Sequence, residues 1–145
     1  MITVAVVEAA TPALQVLTAR LSAELSALTG DAGTQHFNAP EAATWVLARD
    51  SQGKAIGCGA LVHVSPETAE LKRMFSTRDL PGTGAAVLAA LEQIARARGY
   101  RALRCSTRRV NTRAVAFYHR CHFQETAPYG AYVDKPASVC LIKAL

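Results

Sequence analysis

The residues whose types and spacing suggest chemistry form a glycine turn at Gly82-Thr83-Gly84, between a strand-length apolar run and a long amphipathic stretch. The first backbone amides of a helix have no partner inside it, and the helix dipole is positive at that end. Glycines let the backbone approach a ligand closely, so this turn could bind phosphate through its main chain. A tight turn without a ligand is the alternative interpretation.

Known phosphate-binding motifs constrain that interpretation. A P-loop requires a lysine and a hydroxyl residue after its last glycine, where this chain has Ala85-Ala86. A Rossmann fingerprint requires a third glycine, where Val87 stands, and it belongs to the first strand–helix unit of a domain. Arg108 and Arg109 could hold a 2′-phosphate, so a nucleotide-dependent oxidoreductase stays open as an alternative.

The elements that must position the turn follow from the hydrophobic pattern. Thr11 and Pro12 start a first helix with a leucine stripe that ends near Gly30, and the turn opens a main helix that Gly99 closes. A short helix is predicted over 113–120. The predicted strands cover 2–7, 44–48, 54–64, the run from 69 to 75, 102–106, a strand beginning at 123, and 138–145.

Two details of this order bear on the site. Gly57 and Gly59 in the strand over 54–64 predict a β-bulge or close backbone packing. The polar segment 30–40 is expected to be a loop that could border a substrate site. Within it, His36 and Phe37 are expected to pack in the loop, and residues 40–43 could form one helical turn.

Composition indicates one α/β domain over residues 1–145, since half of the residues are hydrophobic. The net charge of +5 favours anionic partners, including phosphorylated cofactors. Nucleic acid is not expected, because no aromatic residues interleave with the basic ones. No apolar run is long enough for a membrane span, and no signal peptide is visible.

The cysteines are scattered and lie mostly in apolar runs, which is typical of reduced core thiols in a cytoplasmic protein. They are Cys58, Cys105, Cys121 and Cys140. His119, Cys121 and His122 crowd one helix end without a fourth ligand, so no metal site is predicted.

With its elements in this order, the chain resembles the GNAT superfamily of N-acetyltransferases over nearly its whole length. The family signature R/Q-x-x-G-x-G/A corresponds to DLPGTG at 79–84. Its downstream pattern N-x-x-A-x-x-F-Y with a final aromatic corresponds to Asn111, Ala114, Phe117, Tyr118 and Phe123. The segments GCGAL (57–61), AELKRMF (69–75) and PYGAYV (128–133) are similar to small single-domain bacterial members.

The resemblance implies a mixed, mostly antiparallel α/β (α+β) sheet that is flanked by helices and splayed at a cofactor groove. It also implies transfer of an acetyl group from acetyl-CoA to a primary amine, by direct attack in a ternary complex. The acceptor would be a small-molecule or peptide amine, with no nucleic-acid or membrane partner, and a homodimer is open. A non-catalytic CoA-binding domain is the main alternative.

The resemblance also implies roles for individual residues. Backbone amides of the turn would bind the pyrophosphate, the Met74 strand edge would pair with the pantetheine arm, and Asn111 would face that arm. Tyr118 would protonate the departing thiolate, and Glu70 would deprotonate the amine, often through water. The predicted cofactor-binding residues are Met74, Phe75, Ser76, Arg78, Pro81, Gly82, Thr83, Gly84, Asn111 and Arg113.

Each role has a structural alternative. Asn111 could only cap its helix, Tyr118 could be a core tyrosine, and Glu70 could be a strand-surface carboxylate. The chain also departs from the family pattern. Asp79 replaces arginine or glutamine beside the expected pyrophosphate, and Pro81 removes one amide. His122 stands where members have glycine.

Overall fold

The computed structural model describes residues 1–32 and 42–145. The expectations for His36, Phe37 and the start of the turn at Pro40 concern residues outside these ranges. The elements are β1 (Thr3–Val7), α1 (Pro12–Thr29), β2 (Thr44–Arg49), β3 (Ala55–His63), β4 (Thr68–Ser76), α2 (Thr83–Ala97), β5 (Ala102–Arg108), α3 (Thr112–Arg120), β6 (Gln124–Thr126) and β7 (Ser138–Ala144).

The sheet contains seven strands in the order β1-β2-β3-β4-β5-β7-β6. Every neighbouring pair is antiparallel except β4 and β5, which are parallel. Their pairing runs only from Thr68 opposite Ala102 to Glu70 opposite Arg104. Beyond that point the two strands diverge, so the predicted mixed, mostly antiparallel and splayed sheet is confirmed.

A β-bulge lies in β4 beside this divergence. The register with β3 shifts between Cys58 and Ala60, and Arg73 adopts a left-handed φ of 54°. A Cβ atom at Gly59 would overlap the Met74 side chain and lie 3.0 Å from Leu91 and 3.1 Å from Val87, so the bulged strand and α2 both pack closely on this glycine. The close packing predicted for these glycines therefore occurs, whereas the bulge opposite Gly59 lies in β4 and not in the strand that contains the glycines.

Hydrophobic cores cover both faces of the sheet. Alternating residues of β2 point to opposite sides, since Leu47 packs with α1 whereas Val46 packs with α2. Burial of the α1 leucine stripe weakens along the helix, from Leu14 at 1% exposed to Leu28 at 44%. The end of α1 around Leu28 is therefore left to border a groove.

The helix ends follow the sequence closely. Gly30 and Gly99 have left-handed φ values of 78° and 86° after α1 and α2, as predicted for helix-closing glycines. Asn111 caps α3 by accepting a hydrogen bond from the Ala114 amide at 3.3 Å. His122 has a φ of 72°, a conformation that favours glycine. β5 extends two residues past its predicted end, because Arg108 pairs with Ser138 of β7.

Candidate active site

A groove of about 650 Å³ lies where the ends of β4 and α1 meet the start of α2 and one side of α3. We call it the glycine-turn groove. Every residue predicted to bind the cofactor lines it, and so does Tyr118. Among its other lining residues are Leu21, Glu24, Leu25, Leu28, Leu80, Ala114, Phe117, Arg120 and Cys121.

The start of α2 presents backbone amides to this groove. Gly82 takes a φ of 86° as the N-cap, and the first helical hydrogen bond runs from the Ala86 amide to its carbonyl. The Thr83 hydroxyl donates to the Leu80 carbonyl at 2.7 Å, so Thr83 offers the groove its amide rather than its side chain. A Cβ at Gly84 would lie 3.1 Å from the Phe117 ring, which shows how closely α2 and α3 approach here.

The strand edge of the groove is formed by Met74, Phe75 and Ser76. Their other edge pairs with β3, but β5 has already diverged, so no strand within residues 1–32 and 42–145 pairs with them on the groove side. The Phe75 side chain is buried against α1, which leaves only its backbone for a ligand. Unpaired amides and carbonyls at a strand edge can bind an extended amide-containing chain.

Ion pairs at the groove mouth organise its charges. The Arg78 guanidinium contacts both Glu24 oxygens, at 2.9 and 3.1 Å. The Asp79 carboxylate points to Lys54 at 3.2 Å, and this hydrogen bond lowers the Asp79 pKa. Asp79 does not line the groove. Its charge is thus matched by a lysine and directed away from the amides.

Tyr118 lies at the floor of the groove, where its ring packs edge-on against Phe117 and Phe123 with centroids 5.3 Å apart in each case. Its side chain belongs to the core, as the alternative interpretation had it, yet it also lines the groove. Burial raises the Tyr118 pKa well above its usual range, and the neighbouring Cys105 and Cys121 thiols add to the rise. The phenol is therefore protonated at neutral pH, the state that a proton donor requires.

A second cavity, of about 360 Å³, adjoins the groove. Both are lined by Met74, Asn111, Ala114 and Tyr118, so these residues form a shared wall. Cationic side chains outnumber anionic ones in the second cavity, so we call it the basic cavity. Its charged lining residues are Lys72, Arg73, Arg108, Lys135, Asp31 and Asp134.

Glu70 lines neither space. Its buried carboxylate contacts Lys72 at 2.8 Å and Arg104 at 2.9 Å, at the last β4–β5 pair before the strands diverge. It is therefore not the exposed strand-surface carboxylate of the alternative interpretation. Lys72 also donates to the Tyr132 hydroxyl at 3.3 Å, and Tyr132 does line the basic cavity.

The PYGAY segment contributes aromatic rings behind this cluster. The Arg104 guanidinium stacks on the Tyr129 ring at 3.8 Å, and Tyr129 packs edge-on against Tyr132 at 5.6 Å. The Tyr129 hydroxyl is buried and has no hydrogen-bond partner among residues 1–32 and 42–145. In the sequence this segment contributes to the family resemblance, but no role is predicted for its tyrosines, because nothing local to them indicates contact with β4.

The sequence comparisons agree with this architecture. The model of the Acetyltransferase (GNAT) family matches residues 11–123, a span that contains the glycine turn, Asn111 and Tyr118. The chain belongs to the GNAT acetyltransferase family, as the resemblance predicted. It is also 33% identical over 104 residues to an IAA acetyltransferase of Azospirillum brasilense, covering 70% of this chain and 67% of that protein.

Solved structures share the fold. A chain from Klebsiella pneumoniae, named as a candidate acyl-CoA N-acyltransferase, superimposes with a TM-score of 0.86 at 29% identity, covering 100% of this chain and 98% of that one. A GNAT family acetyltransferase of Elizabethkingia anophelis with acetyl-CoA bound has a TM-score of 0.73 at 18% identity, covering 99% and 98%. The latter likeness shows the fold alone. In general terms, the family assigns acyl transfer with an acyl-CoA cosubstrate.

Two further observations concern only residues 1–32 and 42–145. None of their helices combines the length and the apolar character needed to cross a bilayer. Nor do these residues bring together three or more histidine, cysteine, aspartate or glutamate side chains in a group that could hold a metal ion.

Proposed function

We propose that this chain transfers the acetyl group of acetyl-CoA to a primary amine by direct attack in a ternary complex. One observation carries the proposal. The glycine-turn groove and the basic cavity share a wall at Met74, Asn111, Ala114 and Tyr118. A cofactor in the groove and an amine in the cavity would therefore meet at that wall.

The groove fits the proposed cofactor. The α2 amides from Thr83 to Ala85 and the positive helix end suit a pyrophosphate, although Pro81 supplies no N–H. The unpaired β4 edge suits the amides of a pantetheine arm. No carboxylate in the described part of the chain pairs with Arg113 or Arg120, which leaves both cations for phosphate groups.

The proton transfers are assigned to this chain's own residues. Acetyl-CoA supplies an activated thioester when it is bound. The Tyr118 hydroxyl donates its proton to the departing thiolate, a role consistent with its position at the shared wall. The role of Glu70 as the base stays a prediction. Its contacts favour a second role, holding Lys72 and Arg104 in place at the side of the basic cavity.

The proposal is tested by ligand binding and turnover on the wild-type chain. Acetyl-CoA and CoA should raise the thermal unfolding midpoint, whereas NAD and NADP should not, because a ligand that binds the native state stabilises it. CoA release with a panel of amines then tests the chemistry. Acetyl-CoA binding without turnover of any amine would favour the non-catalytic CoA-binding domain, and stabilisation by NADP alone would favour the oxidoreductase.

A further inference from the structure

We infer that the acceptor is an amine that also carries a carboxylate, and that the basic cavity binds this carboxylate through Lys72 and Arg108. This inference rests on the proposed function, since it names the acceptor of the same reaction. The charges around the cavity are only partly compensated within the described residues.

Lys72 shares its carboxylate partner with a second cation. Its ammonium lies 2.8 Å from Glu70, but the same carboxylate also contacts Arg104 at 2.9 Å. One negative charge is therefore shared by two cations, and the cluster retains a net positive charge. The Lys72 side chain is held by Glu70 and by the Tyr132 hydroxyl, and an ammonium has three donors. One donor is left for a ligand in the cavity.

Arg73 lines the same cavity and is held by neutral acceptors. Its guanidinium donates to the Ala32 and Thr18 carbonyls and to the Ser22 hydroxyl, all of which are neutral. No carboxylate of residues 1–32 or 42–145 forms an ion pair with it. Burial lowers the Arg73 pKa, because desolvation disfavours the charged form. Its charge adds to the field in the cavity without direct contact with a ligand.

Arg108, at the end of β5, has one weak contact with a carboxylate. It meets Asp31 at 3.5 Å through a single nitrogen, and its side chain is 35% exposed. A guanidinium binds a carboxylate best through two parallel hydrogen bonds, so this contact leaves donors for a second anion. Lys72 and Arg108 thus approach the cavity from the two strands that diverge around it.

The size of the cavity limits the acceptor. About 360 Å³ is near the lower end of the range for small-molecule sites, which suits an amine the size of an amino acid. The positive field has a second effect. It disfavours a protonated amine, and so favours the neutral nitrogen that can attack. Polycationic amines are disfavoured by the same field.

The test compares amines that differ only in charge. Matched pairs are glycine with glycinamide, β-alanine with β-alaninamide and phenylalanine with phenylalaninamide, with putrescine as a dication. The ratio of kcat/KM for each acid over its amide is measured by CoA release in wild type and variants. Comparing variants by this ratio cancels the different basicities of the amines. Lys72→Met and Arg108→Gln should each lower the ratio about ten- to a hundredfold, the effect of losing a charged hydrogen bond.

Two controls keep the outcome interpretable. Arg101→Gln makes the same change at an exposed residue just before β5, at the opposite end from Arg108, and should leave the ratio unchanged. Lys72→Arg retains the charge and should retain most of the preference. Equal acid-over-amide ratios in the wild type and both variants would overturn the inference.

Calorimetry separates this inference from the proposed function. The same amines are titrated into the wild-type protein with and without CoA. Tighter binding of the acids supports the inference even if acetyl-CoA fails to bind or no amine turns over, results that would count against the proposed function alone. Binding of none of the acids would overturn the inference even if acetyl-CoA binds.

Discussion

The glycine-turn groove and the basic cavity share one wall, but the first is formed mainly by main-chain groups and the second by side chains. The groove depends on main-chain groups of two consecutive elements, the end of β4 and the start of α2. The cavity depends on side chains from α1, β4, β5 and the segment before β7, which are far apart in the sequence. A main-chain site is fixed by local conformation, whereas a side-chain site requires the whole sheet to be in register. Changes on the two sides should therefore have separable effects.

The largest effect is expected from Gly84→Glu, which should abolish acetyl-CoA binding while leaving acceptor binding to the cavity intact. A Cβ at this position already lies 3.1 Å from the Phe117 ring, so a longer side chain has no room without displacing that ring, and it adds a negative charge to the turn proposed for the pyrophosphate. Gly84→Ala adds only the methyl group and should retain measurable affinity. Calorimetry measures both, and unchanged acetyl-CoA affinity in Gly84→Glu would remove the groove as the cofactor site.

Tyr118→Phe changes the shared wall and should lower kcat without altering affinity on either side. Positioned acids contribute about a hundredfold or more, and the ring that packs on Phe117 and Phe123 is kept. Because burial raises the Tyr118 pKa, wild-type kcat should show no alkaline loss from this group below about pH 10. Tyr100→Phe, the same change outside both spaces, is the control. Wild-type kcat in Tyr118→Phe on a good substrate would contradict the acid role.

Glu70→Gln tests whether the cavity side contains the base or only a support. If Glu70 is only a support, the substitution leaves Lys72 and Arg104, two partly buried cations, without the negative charge that compensates them. The free energy of unfolding should then fall by about 1–3 kcal/mol, with the shape of the kcat–pH profile unchanged. Glu125→Gln breaks an exposed pair with Arg109 and should cost less than about 1 kcal/mol. A kcat loss concentrated at low pH would instead establish Glu70 as the base.

The smallest effect is expected from His122→Gly, outside both spaces. It should raise the free energy of unfolding by roughly 0.5–1 kcal/mol, because relief of the left-handed conformation is partly offset by the added freedom of the unfolded chain. Urea denaturation measures this change, and Gly99→Ala should have the opposite sign at φ 86°. Altered ligand affinity in His122→Gly would contradict the placement of this residue outside the groove and the cavity.

The same contrast explains what the sequence could predict. The turn at Gly82, the cap at Asn111 and the close packing at Gly59 were predictable, because each is a local feature with its own residue preference. The pairing of Glu70 with Lys72 and Arg104 was not, because it depends on the register of β4 with β5. The leucine stripe of α1 indicated which residues share one face of the helix, but not that this face leaves the core near its end, where Leu28 is exposed and lines the groove.

The divergence of β4 and β5 also determines where the sheet exposes unpaired backbone groups. An ordinary open sheet has two edges, each of which could add a strand from another copy. This sheet has two further unpaired strand edges in its interior, because β4 and β5 separate after Glu70 and Arg104. The gap is a wedge closed at one end, and β3 and β7 occupy the outer sides of its two strands. Such a wedge accepts a single extended chain but excludes a whole second sheet, so its amides are open to a slender ligand without becoming a template for fibres.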